Sequence, residues 1–548
     1  MREPSAADRH AAGTAAAVCA AAIAAAAFLP TLAFGFVYDD HRFIEGNHNL
    51  ASPSILGRAF TDPSCQTADG TDAGLWRPLR TLSFAFDRAV FRGAAWGPHL
   101  VNLLLHGAAT AMVFLLLRRI GASARAAFLA ALVYALHPVQ VECVAWISSR
   151  GDLLAIALTL AAIVLSLDGR SWLALAAGAA ALLAKGEQAA VWPALVFLAH
   201  LLAKRPVIDG LQRACAAGAV VLVSVAARHA AGAEFTQQGG LGLGAASATQ
   251  IAGMLAHQAA HCVLPVGTAF DWQMPPGVCP LAAKVVTVAA FAALVWRPVR
   301  IPALWFLAAL VPTLFLQMIV PLNISVADRF LLFALPALAI VVARCADFGG
   351  TAPAVLAVLC LGGLSQAAMP AWRSDLTLWS GVAAANPGHP RANHWLGKEA
   401  LDRQDWTAAA ERLSIAAQAS PFDAETRYRL GCALDGQARL RRDPAMLMRA
   451  HQEFEDAILL FGGARAEGRD EMLPLARVAS ADAALRGGTD AFGVERLRLL
   501  LEGPAPSVPG RVRAQFAVRI ESLAAAAAAH PSLGPSWADR VRTWGRLP

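Results

Sequence analysis

The chain has 548 residues, 57% hydrophobic and only 16% charged, against roughly 25% charged in soluble domains. With a mean hydropathy of +0.49, this excludes a wholly water-soluble protein. The net charge of +7 does not point to nucleic acid, because many of the basic residues fall in short breaks between apolar runs, where they set membrane orientation.

The first element is an uncharged run from Ala11 to Tyr38. It is longer than the core of a signal peptide and many apolar segments follow, so a retained first span is expected. Further charge-free segments fall near 98–117, 126–141, 153–167, 171–184, 188–203, 211–227, 285–296, 301–322, 330–343 and 352–370. Several are shorter than the roughly 20 residues that cross a bilayer, and they work as spans if their ends snorkel or are buried among other helices. Together they predict about 11 transmembrane helices within residues 1–371. Basic breaks such as "RRIGASAR" (118–125), "KRP" (204–206) and "WRPVR" (296–300) fall on one side if the N-terminus is cytoplasmic. The other side then receives a long first loop, 38–97, the turn 137–152, "KGEQ" (185–188), 228–283, 321–330 and everything after 371. This needs "TQIAGMLAHQAAHCVLP", with His257 and His261 four apart, to lie on the surface as an amphipathic helix. The nine cysteines show no metal-binding spacing, and Cys262 with Cys279 is the one pair that could share an outward loop.

After Trp372 the composition becomes that of a soluble protein. Leu396-Gly397 recurs as Leu430-Gly431 at a spacing of 34 residues. Ala409, Leu413, Ala416 and Pro421 fall at the small, large, small and proline positions of a tetratricopeptide repeat, and Ala450, Phe454 and Ala457 continue the pattern. Residues 372–463 are therefore expected to form such repeats, and 464–548 a helical extension with a break at "EGPAPSVPG" (502–510). The expected fold class is all-α: a polytopic membrane bundle followed by a soluble α-solenoid.

The unusual polar residues of the membrane half all fall on the predicted outer side. They are Asp39, Asp40, Arg77, His137, Glu142, Arg150, Lys185, Glu187, Asp328 and Arg329. Ionisable groups at membrane level are costly and by default serve a function. Acids and bases converging on the outer face fit a substrate presented from the lipid, although each residue alone could be an interfacial ion pair.

Several stretches resemble the transmembrane and tetratricopeptide-repeat family of O-mannosyltransferases, which have the multi-spanning type C glycosyltransferase (GT-C) fold. They are "FVYDDHRFI" (36–44), "WRPLRTLSFAFDRAVF" (76–91), "HLVNLLLHGAATAMVFLLLRR" (99–119), "LVYALHPVQVECVAWISSRGDLLA" (132–155), "LAKGEQAAVWPAL" (183–195), "ADRFLLFALPAL" (327–338) and "WRSDLTLWSGVAAANPGHPRANHWLG" (372–397). "ADRFLLF" departs from the ERY-L-Y that relatives often carry, with Asp328 for Glu and no tyrosine.

The resemblance implies transfer of a sugar, mannose or another hexose, from a polyprenyl-phosphate carrier to a hydroxyl, that of a protein Ser or Thr first, with inversion. A hydroxyl needs a base as it attacks, and Asp39 or Asp40 would serve, Asp39 being preferred by its place in the motif. The departing lipid phosphate needs cations at the membrane surface: Arg329 first, then Arg77, Arg150 and Lys185. His137, Glu142, Asp328 and Glu187 would orient donor or acceptor. No nucleotide-sugar loop or metal motif stands out, so no cofactor is expected beyond the lipid-linked co-substrate. The repeats would receive the acceptor protein. Ala and Arg bias points to a bacterial inner membrane, with repeats in the periplasm. Competing readings keep the enzyme but glycosylate a lipid or envelope polymer, or make the chain a non-catalytic membrane-anchored repeat scaffold.

Overall fold

The computed structural model describes residues 6–68, 75–233, 248–263, 265, 270, 296–319, 327–463, 469–487, 490–502, 508 and 512–546. Cys279 and nearly all of the predicted span 285–296 lie outside them. The described residues contain helices and no strand, and the chain divides into two compact units, Met1–Asp375 and Leu376–Pro548.

The first unit opens with the alanine-rich α1 (Ala6–Ala27) and a short turn at Leu29–Ala33 that Pro30 begins. The first loop carries α2 (Ile55–Thr61) and α3 (Pro78–Phe91). Then follow α4 (Trp96–Arg119), α5 (Ala124–Ala135), α6 (Val139–Ala145), α7 (Arg150–Leu167), α8 (Ser171–Ala189), α9 (Trp192–Leu202), α10 (Val207–Ala230) and α11 (Ala248–Val263). The unit closes with α12 (Arg300–Ile319), α13 (Leu335–Gly349) and α14 (Ala352–Ala368). At its centre α4 packs on α1, α5 and α7, and α7 packs on α8.

Among the described residues, four helical segments are long and apolar enough to cross a membrane: Trp96–Arg119, Ile147–Leu167, Val207–Ala230 and Ala352–Arg373. The number becomes six if α5 with α6, bent by 66°, and α8 with α9, bent by 101°, each make one span. Trp172, Leu222, Val223 and Leu359 are each about 70% exposed, an apolar surface that suits lipid better than water.

The breaks in these helices free backbone carbonyls at membrane depth, where each must find a donor. Side chains supply them. His106 Nε2 donates to Ala135 O at 3.1 Å, Ser365 Oγ to Leu136 O at 2.9 Å, and Gln140 Nε2 to Tyr134 O at 3.1 Å. Asn102 Nδ2 serves Val144 O and Trp146 O at 3.4 and 3.3 Å. The fold thus interrupts the α-helical path at 136–138 and at 146–149, the latter through a 3-10 turn at Ile147–Ser149, and polar side chains gather there.

The second unit is a succession of helices: α15 (Asp375–Ala385), α16 (Pro390–Asp402), α17 (Trp406–Ala419), α18 (Ala424–Arg441), α19 (Pro444–Phe461), α20 (Arg469–Gly487), α21 (Asp490–Glu502), α22 (Arg513–Ala529) and α23 (Pro535–Trp544). From α16 to α21 each packs on the next. Aspartates set three of the starts: Asp405, Asp423 and Asp443 accept from the backbone N–H of Ala408, Glu425 and Met446. The two Leu-Gly pairs occupy equivalent places. A Cβ at Gly397 would come within 2.5 Å of Leu413, and one at Gly431 within 2.6 Å of Phe454. Ala409, Ala416, Ala450 and Ala457 are buried alongside these large side chains.

Candidate active site

The loop after α1 is held in an unusual conformation. Tyr38 has φ +53°, a left-handed backbone that costs a β-carbon residue on the order of 1 kcal/mol. Asp375 stabilises it: Oδ1 accepts from Tyr38 N at 2.7 Å and Oδ2 pairs with His41 Nε2 at 2.8 Å. The other imidazole nitrogen meets Glu45 at 2.5 Å. The hydrogen bond to Asp375 lifts His41 to about 9, with Glu45 adding to it and partial burial opposing, so His41 is a cation at neutral pH.

The turn at Tyr38 separates its two acids. Asp40 is fully buried, and both of its oxygens are engaged. Oδ1 accepts from Ser148 N at 2.7 Å and Ser148 Oγ at 2.5 Å, and Oδ2 from Val37 N at 3.1 Å. Burial pushes its carboxyl up to about 7, against the pull of those donors. Asp39 is only half-buried. Adjacent in sequence, one acid ties the loop to the turn before α7 and the other is left with access to solvent.

Aromatic rings connect this loop to Arg329. Trp146 lies 5.8 Å from Tyr38 and stacks on Trp372 at 5.8 Å, 22° from parallel. The Arg329 guanidinium sits 5.3 Å from the Trp146 ring. Glu142 pairs with that guanidinium and also accepts from Arg329 N at 3.3 Å. Next to it, Asp328 pairs with His261 at 3.0 Å. His137 Nε2 donates to Cys262 O at 3.1 Å, so α11 is joined to this region at two adjacent residues.

A third group surrounds the N-terminal turn of α3. Arg77 stands at the helix start, 3.7 Å from Glu187, which pairs more closely with Arg228 at 3.0 Å. Lys185 breaks the helical path of α8, with φ −157° and ψ 83°, and contacts both oxygens of Asp152 at 2.8 Å. Arg150 is wholly buried, paired with Asp87 at 2.8 Å, and donates to Asn102 and to Pro98 O at 2.7 Å.

These contacts divide the expected site residues. Arg150 and Lys185 are engaged with carboxylates inside the helix packing. His137 holds a helix break, and Asp328 holds α11. Asp39 and Arg77 are half-buried, whereas Arg329 and Glu142 are buried and paired with each other. Asp375, Ser148 and Asp87 were absent from the expected set. Asp375 and Ser148 do lie in "WRSD" and "ISSRGD", stretches that carry the resemblance, but no spacing rule joins them to residues 38–41. Among the described residues no three His, Cys, Asp or Glu side chains converge so as to hold a metal ion.

No family model matches the chain, and no solved structure matches it. Curated proteins do. The chain is similar to protein O-mannosyl-transferases. Protein O-mannosyl-transferase Tmtc2 of Drosophila melanogaster is 39% identical over 162 residues, 27% of this chain and 17% of that protein. Tmtc1 of the same organism is 37% identical over 128 residues, 23% of this chain and 15% of the relative. Human TMTC2 is 34% identical over 128 residues, with the same shares. The match thus spans less than a fifth of each relative's length.

Proposed function

We propose that the chain is a membrane glycosyltransferase of the GT-C type that moves a hexose, mannose being the first candidate, from a polyprenyl-phosphate donor to a hydroxyl of a protein Ser or Thr. Asp39 is the base. It takes the hydroxyl proton as the oxygen attacks the anomeric carbon from the face opposite the phosphate, and the bond from that carbon to the phosphate oxygen breaks with inversion. The electron pair leaves on the lipid phosphate, where Arg77 and Arg329 offset the growing charge. Asp40 is a positioning residue that holds the loop through Ser148 and Val37. Arg150, Lys185, His137, Glu142, Asp328 and Glu187 shape the surrounding walls.

The observation that carries this reading is the division of labour at residues 38–40. A strained tyrosine, held by Asp375, turns one acid into the packing and leaves its neighbour accessible. Backbone strain of this kind persists only where surrounding contacts enforce it, and it clusters at functional sites. The similarity to named O-mannosyl-transferases supports the reaction class.

Around this centre the chain carries about 11 spans, and Leu376–Pro548 contains tetratricopeptide repeats that receive the acceptor. The repeat reading rests on the 34-residue spacing of the Leu-Gly pairs and on the buried alanines beside them. The membrane is a bacterial inner membrane, with the N-terminus cytoplasmic and the repeats periplasmic. The test is transfer of a labelled sugar from polyprenyl phosphate in membranes carrying Asp39→Asn. Transfer at the wild-type rate would remove Asp39 as the base. Glycoproteomics of a deletion strain reads the acceptor class, and loss of sugar from envelope polymers instead of proteins would redirect the acceptor assignment.

A further inference from the structure

Arg80, within the first loop, is a buried cation that the mechanism above does not use. It is 1% exposed, and among the described residues it forms no ion pair. Its single hydrogen bond is a long one, from Nη2 to the neutral Gln66 Oε1 at 3.3 Å, and its Nε has no acceptor. Its guanidinium lies 4.6 Å from the Phe43 ring centroid, and its alkyl stem passes Gly151, where a Cβ would stand 3.3 Å from Arg80 Cδ. Each of the other buried site cations, Arg150, Lys185 and Arg329, has a carboxylate in contact. A desolvated guanidinium without one costs several kcal/mol.

The surroundings add to this charge. Arg77 stands one helical turn before Arg80, and among the described residues its Nε also has no acceptor and its one carboxylate contact is at 3.7 Å. Arg77 immediately precedes, and Arg80 lies in, the first turn of the 14-residue α3, which Pro78 begins and which no side chain caps. The N–H groups of such a turn carry partial positive charge suited to an anion. Burial and repulsion from Arg77 draw Arg80 down to about 9, and Asp39 is among the carboxylates that act on it through space. The two arginines and the proposed base therefore bear on one region.

We propose that Arg80, with Arg77 and the open first turn of α3, forms a phosphate subsite that holds the phosphate monoester of the polyprenyl carrier as it departs. The subsite rests on the lipid-phosphate donor reading above and deepens it. The ligand supplies the contacting countercharge that Arg80 does not find among the described residues. Five N–H donors on Arg80, only one of them used, suit a phosphate's oxygens. The neutral Gln66 keeps the guanidinium in place, where a carboxylate would neutralise it.

The full-length protein in lipid nanodiscs tests this with three probes: a polyprenyl monophosphate, the uncharged polyprenol and inorganic phosphate. The polyprenyl phosphate raises the Tm of the wild type and polyprenol does not. Arg80→Leu weakens polyprenyl-phosphate binding at least tenfold, about 1.4 kcal/mol. The same variant raises the Tm without ligand, because an unpaired buried charge is gone. Gln66→Glu gives the same pair of effects by a different route, filling the guanidinium from within, and it decides the matter if Arg80→Leu does not fold. Arg125→Leu, at an exposed arginine, changes neither reading. A shift with inorganic phosphate that Arg80→Leu abolishes supports the subsite and assigns its affinity to the phosphate and not the tail. Wild-type binding of polyprenyl phosphate by both Arg80→Leu and Gln66→Glu overturns the subsite while leaving the donor reading standing. A wild type that binds no polyprenyl phosphate overturns the donor reading and the subsite together.

Discussion

Both units bury charge, but they balance it differently. In Leu376–Pro548, Asp435 and Asp482 are almost wholly buried and are shared by three arginines from three helices. Arg439 reaches both acids at 2.9 and 3.0 Å, Arg486 donates Nε to Asp482 at 3.0 Å and reaches Asp435 at 3.2 Å, and Arg519 reaches Asp435 at 3.2 Å. Ser522 Oγ adds a bond to Asp482 at 2.9 Å. Every strong acceptor there faces several donors, and the arginines outweigh burial enough to hold Asp435 below its ordinary value. In Met1–Asp375 the charges form pairs and small triplets, such as Glu187 with Arg228 and Arg77 and His41 with Asp375 and Glu45, and some buried groups contact no opposite charge among the described residues. Among the described residues Asp40 accepts three hydrogen bonds and contacts no cation, and Arg80 contacts no acid. A closed network serves the fold. Unmatched charge around a strained loop leaves room for a ligand to complete it.

The sharpest way to break this contrast is to remove one member of each group. Asp39→Asn is expected to lower sugar transfer about 10²–10⁴-fold, the usual range for a general base, and to change the melting temperature far less than the next variant. Asp482→Ala removes an acceptor shared by Arg439 and Arg486 and is expected to lower unfolding free energy by about 3 kcal/mol, at the modest end for a broken buried network because Arg439 is partly exposed. Denaturant unfolding of each, beside the transfer assay, settles the matter: equal stability losses would erase the distinction.

Ser148→Ala removes one donor from Asp40 and leaves the backbone N–H. It is expected to cost about 1.5–3 kcal/mol of stability, as for hydrogen bonds to charged groups, and to slow transfer through the misplaced Asp39. Transfer unchanged in the face of that stability loss would cut the link between Asp40 and Asp39.

The smallest effect is the pH dependence of the His41–Asp375 pair. His41 is raised from 6.5 to about 9 in the fold, so its contribution is fully present below 6.5 and is lost as pH rises through 9. The melting temperature of wild type relative to His41→Gln should therefore shrink between those values. A difference constant from pH 6 to pH 10 would show that the pair does not hold the loop.

Much of the architecture was legible in the chain. Hydrophobic segments at 98–117, 153–167, 211–227 and 352–370 correspond to the four helical segments of spanning length and composition, because length and apolarity are properties of a segment by itself. The segments at 126–141 and 188–203 read as straight spans but belong to bent pairs. What permits the bends is remote: His106, Ser365 and Asn102 satisfy the freed carbonyls from other helices.

The site was legible in its members more than in its pairings. The residue types and their order singled out Asp39, Arg77, Glu142 and Arg329, because ionisable groups among apolar runs are rare enough to notice. Composition and spacing determined that the chain is helical, apolar in its first two thirds and repetitive near residue 400. Only tertiary structure decided which acid of Asp39 and Asp40 is buried, since that depends on Ser148 lying 108 residues away and on Asp375 lying more than 330 away. The same holds for Arg80. Nothing in the sequence sets it apart from Arg77 and Arg88 beside it, and its burial without an acid in contact among the described residues exists only once Phe43, Gln66 and Gly151 are folded around it.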